Sequence, residues 1–134
     1  MPESPASTSA GTGPPVDAAF LDRLRDEIGG RAFKRVAAAY LGLLDQRFDR
    51  VARALDGGDR EDAGRAALDL WVSSEMFGAR RLAELAAETA RLVAGRLDDA
   101  CAERLAEARV EAQAVARFIR AYRHPMTGRD PGGT

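Results

Sequence analysis

Apolar residues return with the period of an α-helix along most of this chain, and short glycine-containing breaks interrupt the pattern. Spacings of three and four residues place an apolar stripe along each segment, which is typical of helices packed around a shared core. Hydrophobic residues make up 46% of the 134 residues, while aromatic residues make up only 6%. Val, Ile and Thr, which favour strands, are sparse beside Ala, Leu and Arg. The sequence therefore predicts an all-α fold.

Five helical segments follow from these stripes and from the residues that interrupt them. Glycines suit the helix ends at positions 29–30, 57–58, 78 and 95, and Asp59 suits the N-cap of the third segment. Pro125 prevents the last segment from continuing far. The predicted spans are about 16–28, 33–55, 59–77, 80–95 and 98–123. Outside the third segment, the residues predicted to form the apolar stripes are Val16, Phe20, Leu21, Leu24, Ile28, Phe33, Val36, Ala37, Tyr40, Leu41, Leu44, Phe48, Val51, Leu55, Leu82, Leu85, Ala86, Leu92, Cys101, Leu105, Val115, Phe118, Ile119 and Tyr122.

Short connections between the segments predict how the helices are arranged. Helices joined by short links usually pack as antiparallel neighbours. We therefore expect an antiparallel up-down-up-down four-helix bundle, with a short additional N-terminal helix on one end or flank. Residues 1–15 and 124–134 are rich in Pro, Gly, Ser and Thr and are predicted to be disordered tails. The helical domain is expected to span residues 16–123.

The charge pattern argues against several classes of function. The formal net charge is −1, and basic and acidic residues alternate without the basic stripe of a nucleic-acid binder. No apolar run is long enough to span a membrane, and the N-terminus lacks the apolar core of a signal peptide. Cys101 is the only cysteine, which fits a cytoplasmic protein without an internal disulfide. With His124 as the only histidine, no metal site and no other cofactor is expected.

The third segment carries two apolar stripes, whereas a small bundle needs only one. At about 100° of rotation per residue, one stripe occupies an arc of about 80° and is predicted to face the core. Its members are Ala63, Ala67, Leu70, Ser74 and Phe77. The second group consists of Gly64, Leu68, Trp71, Val72 and Glu75, with Asp69 and Met76 further round. Because this second face should meet solvent, its apolar residues require a partner.

Several occupants of the second stripe are compatible with the sequence. Trp71 lies near the boundary between the two faces and would seal a seam between helices in one interpretation. In another, the N-terminal helix covers the stripe. In the remaining interpretations the stripe contacts a second copy of the chain or a different protein.

Residues 67–79 read A-L-D-L-W-V-S-S-E-M-F-G-A, and Leu82 and Leu85 follow in the next segment. This stretch resembles the histidine phosphotransfer (HPt) domain of bacterial phosphorelays, whose pattern is approximately A-H-T-L-K-G-S-S-x-x-L-G-A before a helix beginning x-x-L-x-x-L. The resemblance covers about residues 20–122 and implies a four-helix bundle with a phosphoacceptor histidine midway along one helix. The matching framework positions are Ala67, Leu70, Ser73, Ser74, Phe77, Gly78 and Ala79.

The positions that carry the family's chemistry do not match. Leu68 stands at the position of the histidine, and leucine has no nucleophilic atom to attack an aspartyl phosphate. Trp71 replaces the lysine that would help to hold the phosphoryl charge, and an indole does not do this. Val72 fills the space that the family's glycine leaves beside the histidine. All three changes replace phosphoryl chemistry with apolar surface, so no catalytic residue is expected.

Neither His124 nor Asp69 suits the role of an alternative phosphate acceptor. His124 is predicted at the fraying end of the last helix, directly before Pro125. Asp69 points about 100° away from Leu68, and it has no obvious acidic cluster beside it to hold Mg²⁺. Asp69 is therefore interpreted as a solvated carboxylate, and Cys101 as a residue of the core.

The resemblance implies a non-catalytic signalling module of a bacterial two-component phosphorelay. Its expected partner is the receiver domain of a response regulator or hybrid kinase, bound through the surface around the lost histidine. The residues predicted to bind the partner are Gly64, Leu68, Asp69, Trp71, Val72, Glu75 and Met76. The alternative is a structural helical bundle that forms a homodimer through the same stripe.

Overall fold

A computed structural model describes residues 14–95 and 99–123 of the chain. Within these residues the protein forms five α-helices and no β-strand, which confirms the predicted all-α class. The helices are α1 (Ala18–Ile28), α2 (Gly30–Asp56), α3 (Arg60–Met76), α4 (Arg80–Gly95) and α5 (Asp99–Ala121). The predicted tails lie outside the described residues, apart from Pro14 and Pro15, and so does His124.

The ends of α3 follow from local chemistry that the sequence makes visible. At its start, Asp59 accepts a hydrogen bond from the backbone N–H of Asp62 at 3.0 Å, as an N-cap does. At its end, Gly78 has a φ of 73°, which glycine adopts without strain. The N–H of Gly78 donates to the Glu75 carbonyl at 3.1 Å, and that of Ala79 donates to Ser74 at 2.9 Å. This Schellman motif satisfies carbonyls that the helix would otherwise leave unpaired.

The break between α1 and α2 is shorter than the sequence predicts. Gly29 alone separates the two helices, with a φ of 88°, and its N–H donates to the carbonyl of Arg25 at 2.8 Å. Gly30 was expected to be part of the break but is the first residue of α2. One residue suffices because a positive φ redirects the chain in a single step, so that the next residue can already be helical.

The core lies between the four longer helices, each of which makes its main contacts with two of the other three. The contacts join α2 to α3, α3 to α4, α4 to α5, and α5 back to α2. Among the largest fully buried side chains are Phe48 from α2, Leu70 from α3, Leu82 and Leu85 from α4, and Val115 from α5. Burial of such side chains is the main stabilising contribution to a domain of this size.

Two of the residues predicted to form the apolar stripes are exposed instead. Ile28 is the last residue of α1, and Val36 lies on a flank of α2 beside the buried stripe of Phe33, Ala37 and Tyr40. The prediction failed at both positions because the helical period alone does not say how wide an arc the neighbouring helices cover.

The short helix α1 packs on α2 and closes one end of the molecule. The backbone N–H of Asp17 donates to the carbonyl of Gly78 at 3.0 Å, in the turn between α3 and α4. The Phe20 ring lies against the same turn, where an added Cβ on Gly78 would be 3.0 Å from it. On the other side, the Tyr122 hydroxyl donates to the carboxylate of Asp22. Val16 and Leu21 are fully buried beneath these contacts.

The described helices also bear on the membrane prediction. Within residues 14–95 and 99–123, none combines the length and the apolar character that crossing a bilayer requires.

Candidate functional site

The predicted core stripe of α3 is confirmed by its burial. Its five members are almost completely inaccessible to solvent: Ala63, Ala67, Leu70, Ser74 and Phe77. Ala66 is also buried, which widens the core side of the helix toward α2. The rotation of α3 is therefore fixed, and the opposite side of the helix must face outward.

A buried hydrogen bond fixes this rotation further. The hydroxyls of Tyr40 and Ser74 lie 2.8 Å apart inside the core, and the Tyr40 ring stacks on Phe77 with centroids 4.6 Å apart. A hydroxyl buried without a partner would be destabilising, so each of these two depends on the other. Burial raises the pKa of Tyr40 from 10.0 to about 12, so its hydroxyl stays protonated to a higher pH than that of an exposed tyrosine.

Three apolar side chains form an exposed line on the outer side of α3. Leu68, Val72 and Met76 follow one another at intervals of four residues and are 46%, 51% and 67% exposed. We call these three residues the apolar ridge. Glu75 is exposed next to it. Neither α1 nor any other described element covers the ridge, so the interpretation in which α1 covers the stripe does not hold for the described chain.

Trp71 occupies a different position from the ridge. It is partly buried and packs against the main core cluster. Its position two helical turns after Gly64 places it on the flank of α3 that faces α4. Gly64 lies on the same flank, where an added Cβ would come within 3.9 Å of the Val93 side chain in α4. The structure thus favours the interpretation in which Trp71 seals the seam between two helices.

The opposite flank of α3 is bordered by ion pairs with α2. Asp69 lies 3.5 Å from Arg47 and 3.9 Å from Arg50, so its carboxylate is paired and not simply solvated. Arg50 also donates two hydrogen bonds to Asp62, of 3.0 and 2.6 Å. These bonds hold the pKa of the Asp62 carboxyl below its ordinary value. The charged border therefore fixes α3 beside α2 along one edge of the ridge.

Two apolar residues of α2 are exposed on the flank that carries Arg47, which the sequence did not predict. Leu43 lies one helical turn before Arg47, so it shares the flank of α2 that pairs with Asp69. Val36 lies two turns before Leu43 on the same flank, and both side chains are exposed. Their spacing of seven residues was the available signal, but Val36 was assigned to the core stripe of α2 and Leu43 to no stripe.

Among the residues that the structure describes, the hydroxyls of α3 nearest Leu68 are already engaged in hydrogen bonds. The Ser73 hydroxyl donates to the carbonyl of Asp69 at 2.8 Å, and the Ser74 hydroxyl pairs with Tyr40. Cys101 is fully buried, as predicted. Within residues 14–95 and 99–123, no three His, Cys, Asp or Glu side chains are close enough together to hold a metal ion.

The site therefore combines the apolar ridge on α3, a tryptophan that packs against the core, and an ion-paired edge between α3 and α2. This arrangement suits recognition of an apolar surface more than bond making or breaking. Comparisons of the chain with protein-family models, with curated proteins and with solved structures found no match in any of the three.

Proposed function

We propose that this protein is a non-catalytic, HPt-like signalling module. It docks the receiver domain of a response regulator or hybrid kinase through the apolar ridge, within or beside a bacterial two-component phosphorelay, and does not accept phosphate itself. The observation that carries the proposal is the ridge: three apolar side chains stay exposed midway along and toward the end of a helix whose other sides are packed or ion-paired.

The proposed architecture is an antiparallel up-down-up-down four-helix bundle of α2 to α5, with α1 added at one end. The pairings between α2 and α3 support it, because Tyr40 pairs with Ser74 while the later Arg50 pairs with the earlier Asp62. Residue numbers that rise on one helix and fall on the other are those of antiparallel neighbours. The short turns at Gly57–Gly58 and Gly78 support the same arrangement.

The loss of phosphotransfer in this proposal rests on the residues around Leu68. The side chain that matches the family's histidine is about half exposed, which is where a phosphoacceptor would have to be. Leucine offers no nucleophile there, and Val72 replaces the adjacent glycine with further apolar surface. Trp71, which stands at the position of the family's lysine, packs against the core, so no charge replaces the lost one.

Self-association through the same ridge is the second candidate. The ridge residues carry no charge, and the adjoining Arg47 and Asp69 supply one charge of each sign. A surface of this kind is compatible with an isologous dimer, in which each patch meets its own copy. In this case the bundle is a structural scaffold without a role in phosphorelays.

Light scattering on the purified chain separates the two candidates first. A monomer at micromolar concentration favours a receiver partner, whereas a dimer that Val72→Asp converts to monomer favours self-association. Val110→Asp is the matched control, because Val110 is also an exposed valine, 67% accessible, but lies on α5.

Binding is then measured by titrating receiver domains of the source organism into the wild-type chain and the two variants by calorimetry. The proposal expects one receiver to bind the wild type and Val110→Asp, and to bind Val72→Asp at least about tenfold more weakly, since a buried unpaired charge is costly. Equal binding to all three chains would place the docking surface elsewhere. Acid-labile phosphate appearing on the chain after incubation with a phosphorylated receiver would contradict the non-catalytic part of the proposal.

A further inference from the structure

A cavity of about 540 Å³ lies between α1, α2 and the C-terminal end of α5. This volume falls within the range of about 300 to 1,000 Å³ that is usual for small-molecule sites. The cavity is separate from the apolar ridge. On α2, Val36 and Leu43 lie on one flank of the buried stripe, and Lys34 and Leu41, which line the cavity, lie on the other.

The inner wall of the cavity is apolar. Phe33 from α2 and Tyr122, just beyond the end of α5, contact each other there, with ring centroids 5.5 Å apart. Ala37, Leu41 and Ile119 complete the wall, and Ala38 lines the cavity as well. Alanine at two adjacent positions leaves open a volume that larger side chains would fill.

Every charged side chain that lines the cavity is positive. Arg25, Lys34, Arg120 and Arg123 come from α1, α2 and the end of α5, and no carboxylate is among the lining residues that the structure describes. Two acids of α1 lie near Tyr122 without lining the cavity: Asp22 accepts the hydrogen bond of the Tyr122 hydroxyl, and, besides burial, the charges of Asp22 and Asp26 both help to raise the pKa of that hydroxyl. Four cations around an apolar wall create a local positive potential in a chain whose net charge is −1.

The position of Arg25 strengthens this potential. Its guanidinium lies over the first residue of α2, where an added Cβ on Gly30 would come within 2.8 Å of it. The N-cap of α2, Gly29, supplies no side-chain acceptor. The cation therefore lies beside the positive end of a 27-residue helix, which adds to the positive potential on this side of the cavity.

We propose that this cavity binds a small amphipathic anion, with an apolar chain or ring against Phe33, Ile119 and Tyr122 and one carboxylate at the cationic rim. A medium-chain fatty acid has this chemistry. Its carboxylate offers two acceptor oxygens to the guanidinium groups, and its chain replaces water along the apolar wall. The site does not depend on the proposed receiver docking, because it lies on the other flank of α2.

The test is a calorimetric titration of the full chain with decanoate, below the concentration at which decanoate forms micelles. Saturable binding of one molecule per chain is expected. Decyltrimethylammonium, which has the same chain and the opposite charge, and acetate, which lacks the chain, should both fail to bind. Binding of decyltrimethylammonium as tightly as decanoate, or no saturable binding of decanoate, overturns the proposal.

Three variants locate the site. Lys34→Glu should weaken decanoate binding by about fivefold to tenfold, since a charge-assisted contact becomes a repulsion. Arg35→Glu is the matched control, because Arg35 is exposed on the same helix but does not line the cavity, and it should bind as the wild type does. Ala38→Phe should fill the cavity and abolish binding.

Circular dichroism checks that each variant is folded. If Ala38→Phe does not fold, the pair Lys34→Glu and Arg35→Glu decides alone. Equal affinity of these two charge variants for decanoate would show that the anion binds outside the cavity and would overturn the proposal.

Discussion

The exchange of Trp71 for alanine distinguishes a tryptophan that belongs to the core from one that belongs to an open interface. In the structure Trp71 packs against the main core cluster, whereas Leu68, three residues earlier, is 46% exposed on the ridge. The two residues are close in sequence but differ in their surroundings. Trp71→Ala and Leu68→Ala should therefore differ strongly in their effect on the free energy of unfolding.

The expected magnitudes follow from the burial of each side chain. A fully buried tryptophan replaced by alanine costs about 3 to 5 kcal/mol, because contacts are lost and a cavity remains. Trp71 is only partly buried, so about 2 to 3 kcal/mol is expected for Trp71→Ala. Leu68→Ala leaves no cavity on an open ridge and should cost less than about 1 kcal/mol. In a domain of this size, 1 kcal/mol corresponds to about 4 °C in Tm. The Tm should therefore fall by about 10 °C in Trp71→Ala and by less than about 4 °C in Leu68→Ala.

The assay is urea unfolding followed by far-ultraviolet circular dichroism, because Trp71→Ala removes the only tryptophan and with it the fluorescence signal. Trp71→Phe serves as a control that keeps an aromatic ring in the seam, and it should retain most of the stability. If Trp71→Ala unfolds within about 0.5 kcal/mol of the wild type, the seam-sealing role is wrong. Trp71 would then have to be counted with the ridge as a contact for a partner.

Three further results are expected. Tyr40→Phe should lower the free energy of unfolding by about 1 to 2 kcal/mol, because the Ser74 hydroxyl loses its buried partner. A double-mutant cycle with Ser74→Ala measures the coupling between the two hydroxyls, and additive effects would contradict this prediction. Asp59→Ala should cost about 1 kcal/mol through loss of the α3 N-cap, which thermal unfolding detects. Asp56→Ala, at the last residue of α2, serves as the comparison. The folded-state pKa of Tyr40, about 12, lies above its ordinary value of 10.0. The contribution of Tyr40 to stability is therefore fully present below pH 10 and is lost as the pH rises toward 12. In urea unfolding between these pH values, the free energy of unfolding should decline less for Tyr40→Phe than for the wild type.

The features that the sequence predicted correctly depend on chemistry within a few residues. The core stripe of α3 followed from spacings of three and four residues, and the N-cap at Asp59 followed from a carboxylate three residues before an unpaired N–H. The exposure of Leu68 and Val72 was predicted for the same reason, since both lie opposite that stripe. These features depend on spacing and capping within one helix, and not on where the neighbouring helices lie.

The features that escaped prediction depend on the neighbouring helices. Val36 and Trp71 both lie at the edge of an apolar stripe, and only the width covered by the adjacent helix decides that one is exposed and the other packed. The cationic cavity brings together Arg25, Lys34 and Arg120, which are separated by up to 95 positions in sequence. No periodic pattern connects residues so far apart, so a cavity of this kind is visible only once the helices are placed.

The hydrogen bond from Tyr122 to Asp22 has a consequence for the order in which the helices can follow one another along the chain. It brings the first helix and the end of the last helix side by side, although 100 positions separate the two residues. The first and last helices are therefore neighbours, so the packing of the five helices does not require the chain to begin at α1 and end after α5. A permuted gene that joins residue 123 to residue 16 through a short flexible linker, and opens the chain between Gly57 and Gly58, should encode the same arrangement of helices.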